Sequence, residues 1–357
     1  MNKKFIVIGI TVVAITLFFA WRFVRPMNIF TITENFARPV STARMPAPLK
    51  TLRAEECGSC HQDFYNEWKT TIHSQAWTDP YFQTDWKFEG EQQICRNCHT
   101  PLDRQQEQKV IGFRDPGMED PVLQPNPDFD PTLQREGVTC AACHVREGKI
   151  RGVFGDTGAP HPVEKIKSGN EICIRCHVVD GNSWDTFFRY PPCGTVAEIQ
   201  TGRGEKVARS GETVVGDPAT WGCVDCHMPL VERPLVAGGK VRKARRHLWR
   251  GGHDPEQVKR ALNIKFEQNL ADKRRYKLTL TNVGAAHFVP TGTPDRHFIV
   301  TIRALNKNGE IIRKQEQVIK RTLMWRPFII DLKDNRLAPG KSRSYKFELS
   351  RQESVEA

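Results

Sequence analysis

The stretch Cys57-Gly-Ser-Cys-His-Gln-Asp-Phe-Tyr-Asn-Glu-Trp-Lys-Thr-Thr-Ile-His73 decides how the rest of the chain is interpreted. It opens with the pattern C-x-x-C-H, formed by Cys57, Cys60 and His61. At this spacing two thiols can add to the vinyl groups of a haem while the adjacent histidine binds its iron. The stretch ends with another histidine, His73, so one segment offers two iron ligands.

The role of His73 depends on its distance from His61. Residues 61–73 contain neither Gly nor Pro, and we predict a helix for them. Twelve residues at about 1.5 Å each place His73 about 18 Å beyond His61, whereas two axial nitrogens on one iron lie only about 4 Å apart. We therefore expect His73 to bind a different haem from His61. The alternative is a solvent-exposed or hydrogen-bonded histidine without a ligand role.

The same pattern recurs along the chain and includes ten of the eleven cysteines. In chain order the five motifs are Cys57/Cys60/His61, Cys95/Cys98/His99, Cys140/Cys143/His144, Cys173/Cys176/His177 and Cys223/Cys226/His227. One motif could be half of a zinc site. Five motifs, each with its histidine, predict five covalent haems c with their iron. Cys193 stands outside the motifs, and we interpret it as a buried thiol, with an intermolecular disulfide or a haem contact as the alternative.

Charge alone would suggest a nucleic-acid partner, since the formal net charge is +12 and a basic run extends from Lys240 to Arg250. Each haem, however, brings about two propionates, so about ten negative charges are missing from this count. We therefore predict no nucleic-acid binding, and expect the basic run to face propionates or an acidic redox partner. Porphyrin surfaces also explain how a chain with only 39% hydrophobic residues builds its core.

The N-terminal region predicts a membrane helix. Residues 1–25 combine Lys3 and Lys4 with an apolar run from Phe5 to Trp21, followed by Arg22 and Arg25. This pattern indicates an inner-membrane anchor with the rest of the chain in the periplasm, where haem is attached to thiols. A cleaved signal peptide, with secretion to the periplasm, is the alternative. Residues 26–50, which contain several prolines, are predicted to be an extended linker.

The remaining chain divides by composition into two predicted domains. Residues 51–263 carry all five motifs, separated by segments rich in Pro, Gly and charge, and are predicted to be a mostly α-helical and loop domain packed around the haems. At its end, Asp254-Pro255 predicts a helix start. Residues 264–357 contain alternating segments and a turn at Asn306–Gly309, which predict a small antiparallel β-domain of sandwich type.

Distal ligands must come from histidines outside the motifs. If all five irons are six-coordinate, five more ligands are needed, and six histidines remain. The predicted distal ligands are His73, His161, His247, His253 and His287. His297 alternates with Ile299 on a predicted strand and is assigned a structural role.

Several motif contexts resemble the multihaem cytochromes of the cytochrome c554 type, which are related to the haem domains of hydroxylamine oxidoreductase. The matching segments are Trp68 to His73, Ile94 to Pro101, Gly137 to His144, Ile172 to His177, Gly222 to Pro229, Arg246 to His253 and His287 to Arg296. The resemblance implies a mostly helical fold around closely stacked haem pairs, with largely bis-histidine ligation and an electron-transfer function. Cytochrome c554 itself has four haems, and the β-region here is additional.

We interpret the chain as a membrane-anchored electron carrier without a catalytic residue. Its redox partners would be a quinol-linked or periplasmic donor and a terminal reductase or another cytochrome. One alternative is a reductase or oxidoreductase of a small nitrogen or sulfur compound, acting at a haem with an open coordination position. Another is a subunit that passes electrons from quinol to the periplasm.

Overall fold

The structure is a computed structural model that describes residues 3–24, 32–33, 37–155, 158–177, 186–187, 193–203, 217, 220, 222–350 and 354–356. Residues 26–31 and 34–36 of the predicted linker therefore lie outside the described residues. The chain divides into two compact units. The first unit comprises Met1–His177 and Val215–Arg250, and the second comprises Val178–Val214 and Gly251–Ala357.

Most elements are short, but the first helix has 22 residues and the strand Ile311–Met324 has 14. The helices are α1 (Lys3–Val24), α2 (Ala54–Gly58), α3 (Gln62–Trp68), α4 (Pro80–Phe88), α5 (Gln93–His99), α6 (Pro131–Arg135), α7 (Cys140–His144), α8 (Asn170–His177), α9 (Thr195–Gly202), α10 (Cys223–His227) and α11 (Pro255–Ala261). The strands are β1 (Gln108–Phe113), β2 (Pro121–Pro125), β3 (Val145–Arg146), β4 (Lys149–Gly152), β5 (Val163–Lys165), β6 (Thr186–Phe187), β7 (Leu230–Pro234), β8 (Val241–Arg245), β9 (Leu262–Gln268), β10 (Arg275–Asn282), β11 (His297–Leu305), β12 (Ile311–Met324), β13 (Ile329–Asp334), β14 (Ser342–Glu348) and β15 (Ser354–Glu356).

Helix α1 is the predicted N-terminal apolar helix. Its segment Lys3–Phe23 has 21 residues and a mean hydropathy of 2.2, so it is long and apolar enough to cross a membrane. Length and composition alone do not separate an anchor from a signal sequence, which has the same properties.

Three helices begin at an Asp-Pro pair. The carboxylates of Asp79, Asp130 and Asp254 each accept a hydrogen bond from a backbone N–H two or three residues later, and proline follows at the first helical position. Aspartate satisfies an otherwise unpaired N–H at the helix start, and proline lacks the N–H that would have no partner there. The predicted start of α11 at Asp254 is confirmed.

The continuous helix predicted for residues 61–73 is wrong, because α3 ends at Trp68 and the chain then forms a series of turns. The hydroxyls of Thr70 and Thr71 donate to carbonyl oxygens of the preceding turn at 2.8 and 2.6 Å. Such side-chain bonds compete with the helical backbone pattern. His73 is thus placed by a turn and not by a straight helix.

The first unit contains more strand than the predicted helices and loops. Strands β1 and β2 form one antiparallel pair and β7 and β8 another, while β3, β4 and β5 form a small mixed sheet. The β3–β4 turn has positive φ at both Glu147 (47°) and Gly148 (76°), as a two-residue hairpin turn of type I′ requires. Glu-Gly is a weaker signal for this turn than Asn-Gly, so the hairpin was not predicted.

Among the described residues of the first unit, one cluster of buried apolar side chains surrounds the third motif. It consists of Val40, Leu52, Leu102, Leu133, Ala141, Ala142 and Val145. Ala141 and Ala142 are the two residues between the cysteines of the third motif, so the backbone of that motif is anchored in the apolar cluster.

The second unit is a β-sandwich. An antiparallel sheet in the order β14-β10-β9 and a sheet in the order β15-β11-β12-β13-β6 share one apolar core. The core joins Leu278, Leu280 and Phe347 of the first sheet to Ile302 and Ile319 of the second. The antiparallel β-region predicted after residue 263 is therefore present.

Helix α9 belongs to this second unit, although it precedes residue 263, where the sequence predicted the boundary between the two domains. Ala197 of α9 packs with Phe288, and the buried carboxylate of Glu198 accepts a 2.5 Å hydrogen bond from Arg336. These contacts join a segment between the fourth and fifth motifs to the β-sandwich. Composition along the chain did not reveal them, because the interacting residues are 91 to 138 positions apart.

Candidate haem-binding sites

Each C-x-x-C-H motif occupies about one helical turn. In α5, α7, α8 and α10 both cysteines and the histidine are helical, whereas the first motif runs from the end of α2 to His61, just before α3. Residues three apart lie on the same face of a helix. The two thiols of each helical motif are therefore on one side, as two bonds to a single porphyrin require.

The motif thiols differ in their exposure. Eight of them are half-buried, whereas Cys60 and Cys226 are exposed. The exposure of Cys226 follows from its position on α10, whose buried residue is Val224. Two helical positions correspond to a rotation of about 200°, so Cys226 lies on the opposite side of the helix from Val224. Cys193, interpreted as a buried thiol, is half-buried.

The motif histidines are oriented by hydrogen bonds to backbone carbonyl groups. The Nδ1–H groups donate as follows: His61 to Leu235 O at 2.8 Å, His99 to Ala76 O at 2.7 Å, His144 to Arg151 O at 2.7 Å and His227 to Arg250 O at 2.5 Å. A histidine that binds metal through Nε2 commonly donates its other N–H in this way, which fixes both the tautomer and the ring orientation. These four histidines are therefore prepared to bind iron through Nε2.

Within the described part of the first unit, three predicted distal histidines each lie opposite a motif histidine. The ring-centre distances are 6.4 Å for His61 and His161, 6.1 Å for His144 and His247, and 6.3 Å for His73 and His177. Two metal–nitrogen bonds of about 2 Å and two ring radii of about 1 Å give about 6 Å for two imidazoles on opposite sides of one metal ion. The three pairs therefore have the spacing of bis-histidine ligation.

The electrostatic environment keeps two of these distal imidazoles neutral. Burial, together with the opposing imidazole of His177 or His144, lowers the pKa of His73 to about 3 and that of His247 to about 4. A neutral imidazole is the form that coordinates a metal ion. Both side chains are thus in the ligating state at neutral pH.

The five motifs adjoin one another. The Cys57 side chain lies beside that of Cys140, and the Cys176 side chain lies beside that of Cys98. Helix α2 contacts α7, α7 contacts α8, and α8 contacts α10. The first motif therefore lies beside the third, the third beside the fourth, and the fourth beside the second and the fifth.

The other histidines named in the sequence analysis belong to the second unit. His253 is exposed, and its Nε2 accepts a 2.5 Å hydrogen bond from Arg296 Nη1. The half-buried His287 donates from Nδ1 to its neighbour's carbonyl oxygen at 2.8 Å. His297 is exposed on β11 and donates from Nδ1 to Asp295 O.

The zinc alternative finds no support in the side-chain geometry. Among the residues that the structure describes, no group of three or more His, Cys, Asp or Glu side chains is arranged to hold a metal ion. Structural zinc needs four such ligands around one point. The donors present instead are paired thiols with an adjacent imidazole and a second imidazole opposite, which fit covalent haem.

Glu67 is a site residue that the sequence did not reveal. The residue is 9% exposed, and its carboxylate accepts two hydrogen bonds from Arg233 at 2.9 Å, one from Arg246 Nε at 2.8 Å and one from the backbone N–H of His247 at 2.7 Å. Helix α3 is thereby tied to the segment that carries a distal histidine. Arg233 and Arg246 follow Glu67 by 166 and 179 residues, so no local pattern marks this contact.

Comparisons with known proteins agree with this geometry. Residues 56–122 match the family model described as cytochrome c554 and c-prime. The fold is similar to the crystal structure of a penta-heme cytochrome c552 from Thermochromatium tepidum, with a TM-score of 0.54 and 19% sequence identity over 83% of this chain and 87% of that chain. At this identity the similarity concerns the fold alone. No match was found among curated proteins.

The fold and the motif geometry together define a multihaem c-type cytochrome, a class of proteins that transfer electrons through covalently bound haem. Residues 56–122, which contain the first two motifs, are similar to the cytochrome c554 family, and the resemblance noted in the sequence is confirmed.

Proposed function

We propose that this protein is a membrane-anchored periplasmic cytochrome that relays electrons through five haems c. The ten motif cysteines, the exposed Cys60 and Cys226 included, would hold the porphyrins, and the five motif histidines would be the proximal ligands. Bound haem supplies a one-electron iron couple whose potential depends on axial ligands, hydrogen bonds and burial. The polypeptide supplies the ligands, their orientation and the spacing between sites.

The observation that carries this proposal is the spacing of the three imidazole pairs. His161 would be the distal ligand at the first motif, His247 at the third and His73 at the fourth. An iron with two imidazoles has no open position for a substrate, so these three sites suit electron transfer. His253 and His287 stay predicted ligands, and His73 would bind a different haem from His61, as we expected.

The order of the sites supports a branched relay. Since the third motif adjoins the first and the fourth, and the fourth also adjoins the second and the fifth, every site has a neighbour within the first unit. An electron that enters at one end can reach the fourth site and leave by either of two branches. Such a branch point fits a carrier that serves more than one redox partner.

Helix α1 supports attachment to the inner membrane. The redox partners would be a quinol-linked or periplasmic donor and a terminal reductase or another cytochrome. Cell fractionation with N-terminal sequencing tests this part of the proposal. An intact N-terminus in the membrane fraction is expected, whereas a shortened N-terminus in the soluble periplasmic fraction would establish signal cleavage. Reduction of the membrane-bound protein by added quinol would support the quinol-to-periplasm role.

The ligand assignment is tested by His73→Ala in the holoprotein. We expect all five haems to stay attached and the fourth-motif haem to change from low-spin to high-spin in ferric EPR. His297→Ala is the matched control, because His297 is an exposed histidine of the β-sandwich. Unchanged low-spin signals in His73→Ala would refute the assignment. If the wild type has a high-spin signal that shifts with nitrite, hydroxylamine or sulfite, the oxidoreductase alternative replaces the pure carrier.

A further inference from the structure

A four-residue segment, His247–Arg250, contacts three of the candidate haem-binding sites. His247 faces His144 of the third motif, and the carbonyl oxygen of Arg250 accepts the Nδ1–H of His227 of the fifth motif. Between them, Trp249 contacts His73, which faces the fourth motif. One short piece of chain thus adjoins the third, fourth and fifth sites.

Trp249 lies between the two distal imidazoles. Its ring centre is 4.8 Å from that of His73 and 5.2 Å from that of His247, with interplanar angles of 73° and 80°. Both contacts are edge-to-face, the arrangement that aromatic rings prefer because their faces are negative and their edges positive. A single indole therefore supports two imidazoles that belong to different sites.

The backbone of Trp249 is itself unusual. Its φ is +42°, in the left-handed region that bulky side chains rarely adopt. Such a conformation persists only where the surroundings impose it, and it occurs preferentially at functional sites. Here the left-handed residue turns the chain between His247 and Arg250, which allows the two ends of the segment to serve different sites.

We propose that Trp249 is a positioning residue that holds His73 and His247 as distal ligands, and that through it the third and fourth haems share one structural support. This inference rests on the proposed function, because it requires those two histidines to ligate iron. Each edge-to-face contact is expected to change the equilibrium constant for binding of the imidazole to iron by about two- to tenfold. Removing the indole weakens both imidazole–iron bonds by that factor.

The test compares three variants of the full-length holoprotein. Trp249→Ala removes the ring and keeps the strained φ, Trp249→Gly removes the ring and relaxes the backbone, and Trp249→Phe retains an aromatic ring. We expect the alanine and glycine variants to bind carbon monoxide about two- to tenfold more readily at the third and fourth ferrous haems and to show altered midpoint potentials there. Phe should restore most of the wild-type behaviour.

Trp325→Ala is the control, since Trp325 is a half-buried tryptophan of the second unit. The inference is overturned if Trp249→Ala and Trp249→Gly retain wild-type carbon monoxide binding and potentials, or if Trp325→Ala changes them equally. It is also overturned if Phe restores nothing. His73→Ala and His247→Ala separate a failure of this inference from a failure of the ligand assignment. If these two variants do not produce high-spin haems, the ligand assignment is wrong. If they do, only the role of Trp249 is refuted.

Discussion

Replacement of Glu67 by Gln should loosen the distal side of the third haem site while leaving haem attachment intact. The carboxylate binds Arg233, Arg246 and the backbone N–H of His247. These hydrogen bonds connect helix α3 to the segment that contains the distal histidine His247. Glutamine has nearly the same size but carries no charge and only one carbonyl oxygen. The guanidinium groups lose their charged partner, and one oxygen must now serve donors that two oxygens served before.

The magnitude follows from burial. The side chains of Glu67 and Arg233 are 10% and 12% exposed, so water cannot replace the lost partner. Removing one member of a buried ion pair typically costs about 3–5 kcal/mol. Arg246 is 44% exposed, so water can bind part of its guanidinium group, and the glutamine oxygen remains as one acceptor. We therefore expect a loss at the lower end, about 3 kcal/mol of unfolding free energy.

The assay is urea denaturation together with ferric EPR of the holoprotein. A lower urea midpoint and a new high-spin signal from the third haem are expected. Glu232→Gln is the control, because Glu232 is an exposed glutamate on the β7–β8 hairpin, opposite Lys243. If Glu67→Gln unfolds at the same urea concentration as Glu232→Gln and all haems keep their spin states, Glu67 does not position His247.

The same contact predicts a pH dependence. Burial alone would raise the pKa of Glu67, but hydrogen bonds from Arg233 and the His247 amide prevail and lower it from its usual value of 4.5. A carboxylate whose pKa is lower in the folded state stabilises the fold above the unfolded pKa and loses this effect as pH falls through the folded pKa. The stability difference between wild type and Glu67→Gln should be full at pH 7 and decrease below about pH 4.5. A difference that is constant down to pH 2 would contradict the ionic origin of the stabilisation.

Two further substitutions test the surroundings of the sites. In Gly137→Ala the new Cβ would lie 2.8 Å from the carbonyl oxygen of His73, at a residue whose φ is +59°. We expect the free energy of unfolding to fall by about 1–3 kcal/mol and the fourth-motif haem to give a high-spin signal. Gly148→Ala is the control for backbone strain alone, because its φ is +76° and its nearest neighbour atom would lie 3.5 Å away. Arg336→Met leaves the buried carboxylate of Glu198 without its cation and should cost about 3–5 kcal/mol in urea denaturation, while the EPR signals of the haems paired by His73, His161 and His247 stay unchanged. A spin-state change in Arg336→Met would show that the β-sandwich influences those sites.

Local features of the fold could be predicted from the sequence because their causes lie within a few residues. The five motifs, the Asp254-Pro255 helix start, the apolar N-terminal helix and the β11–β12 hairpin at Asn306–Gly309 are all present. In each case a capping group, a turn residue or a run of apolar side chains acts on its own neighbours. Distant contacts contribute little to these elements.

The features that the sequence did not predict depend on contacts between distant residues. Helix α3 ends at Trp68, whose indole donates to the carbonyl oxygen of Val138, 70 residues later. The expectation that His73 serves a different haem from His61 rested on a straight helix, but the structure brings His73 to His177 through a turn. The premise was wrong, although the proposed ligation agrees with its consequence.

The pairing of the imidazoles lies beyond any local pattern. His161 and His61 are 100 residues apart in the chain, and His247 and His144 are 103 apart, so the chain closes large loops to bring each pair together. The supports of these pairs, such as Glu67 and Trp249, are ordinary residues in sequence. Only the assembled structure shows that they touch the ligands.

The most direct test of the central claim is the intact mass of the purified protein under denaturing conditions, combined with a pyridine haemochrome spectrum. We predict five haems per chain, all retained after denaturation because each is bound through two thioethers. Fewer than five, with unmodified thiols in any of the motifs, or zinc in place of haem, would contradict the proposed five-haem relay.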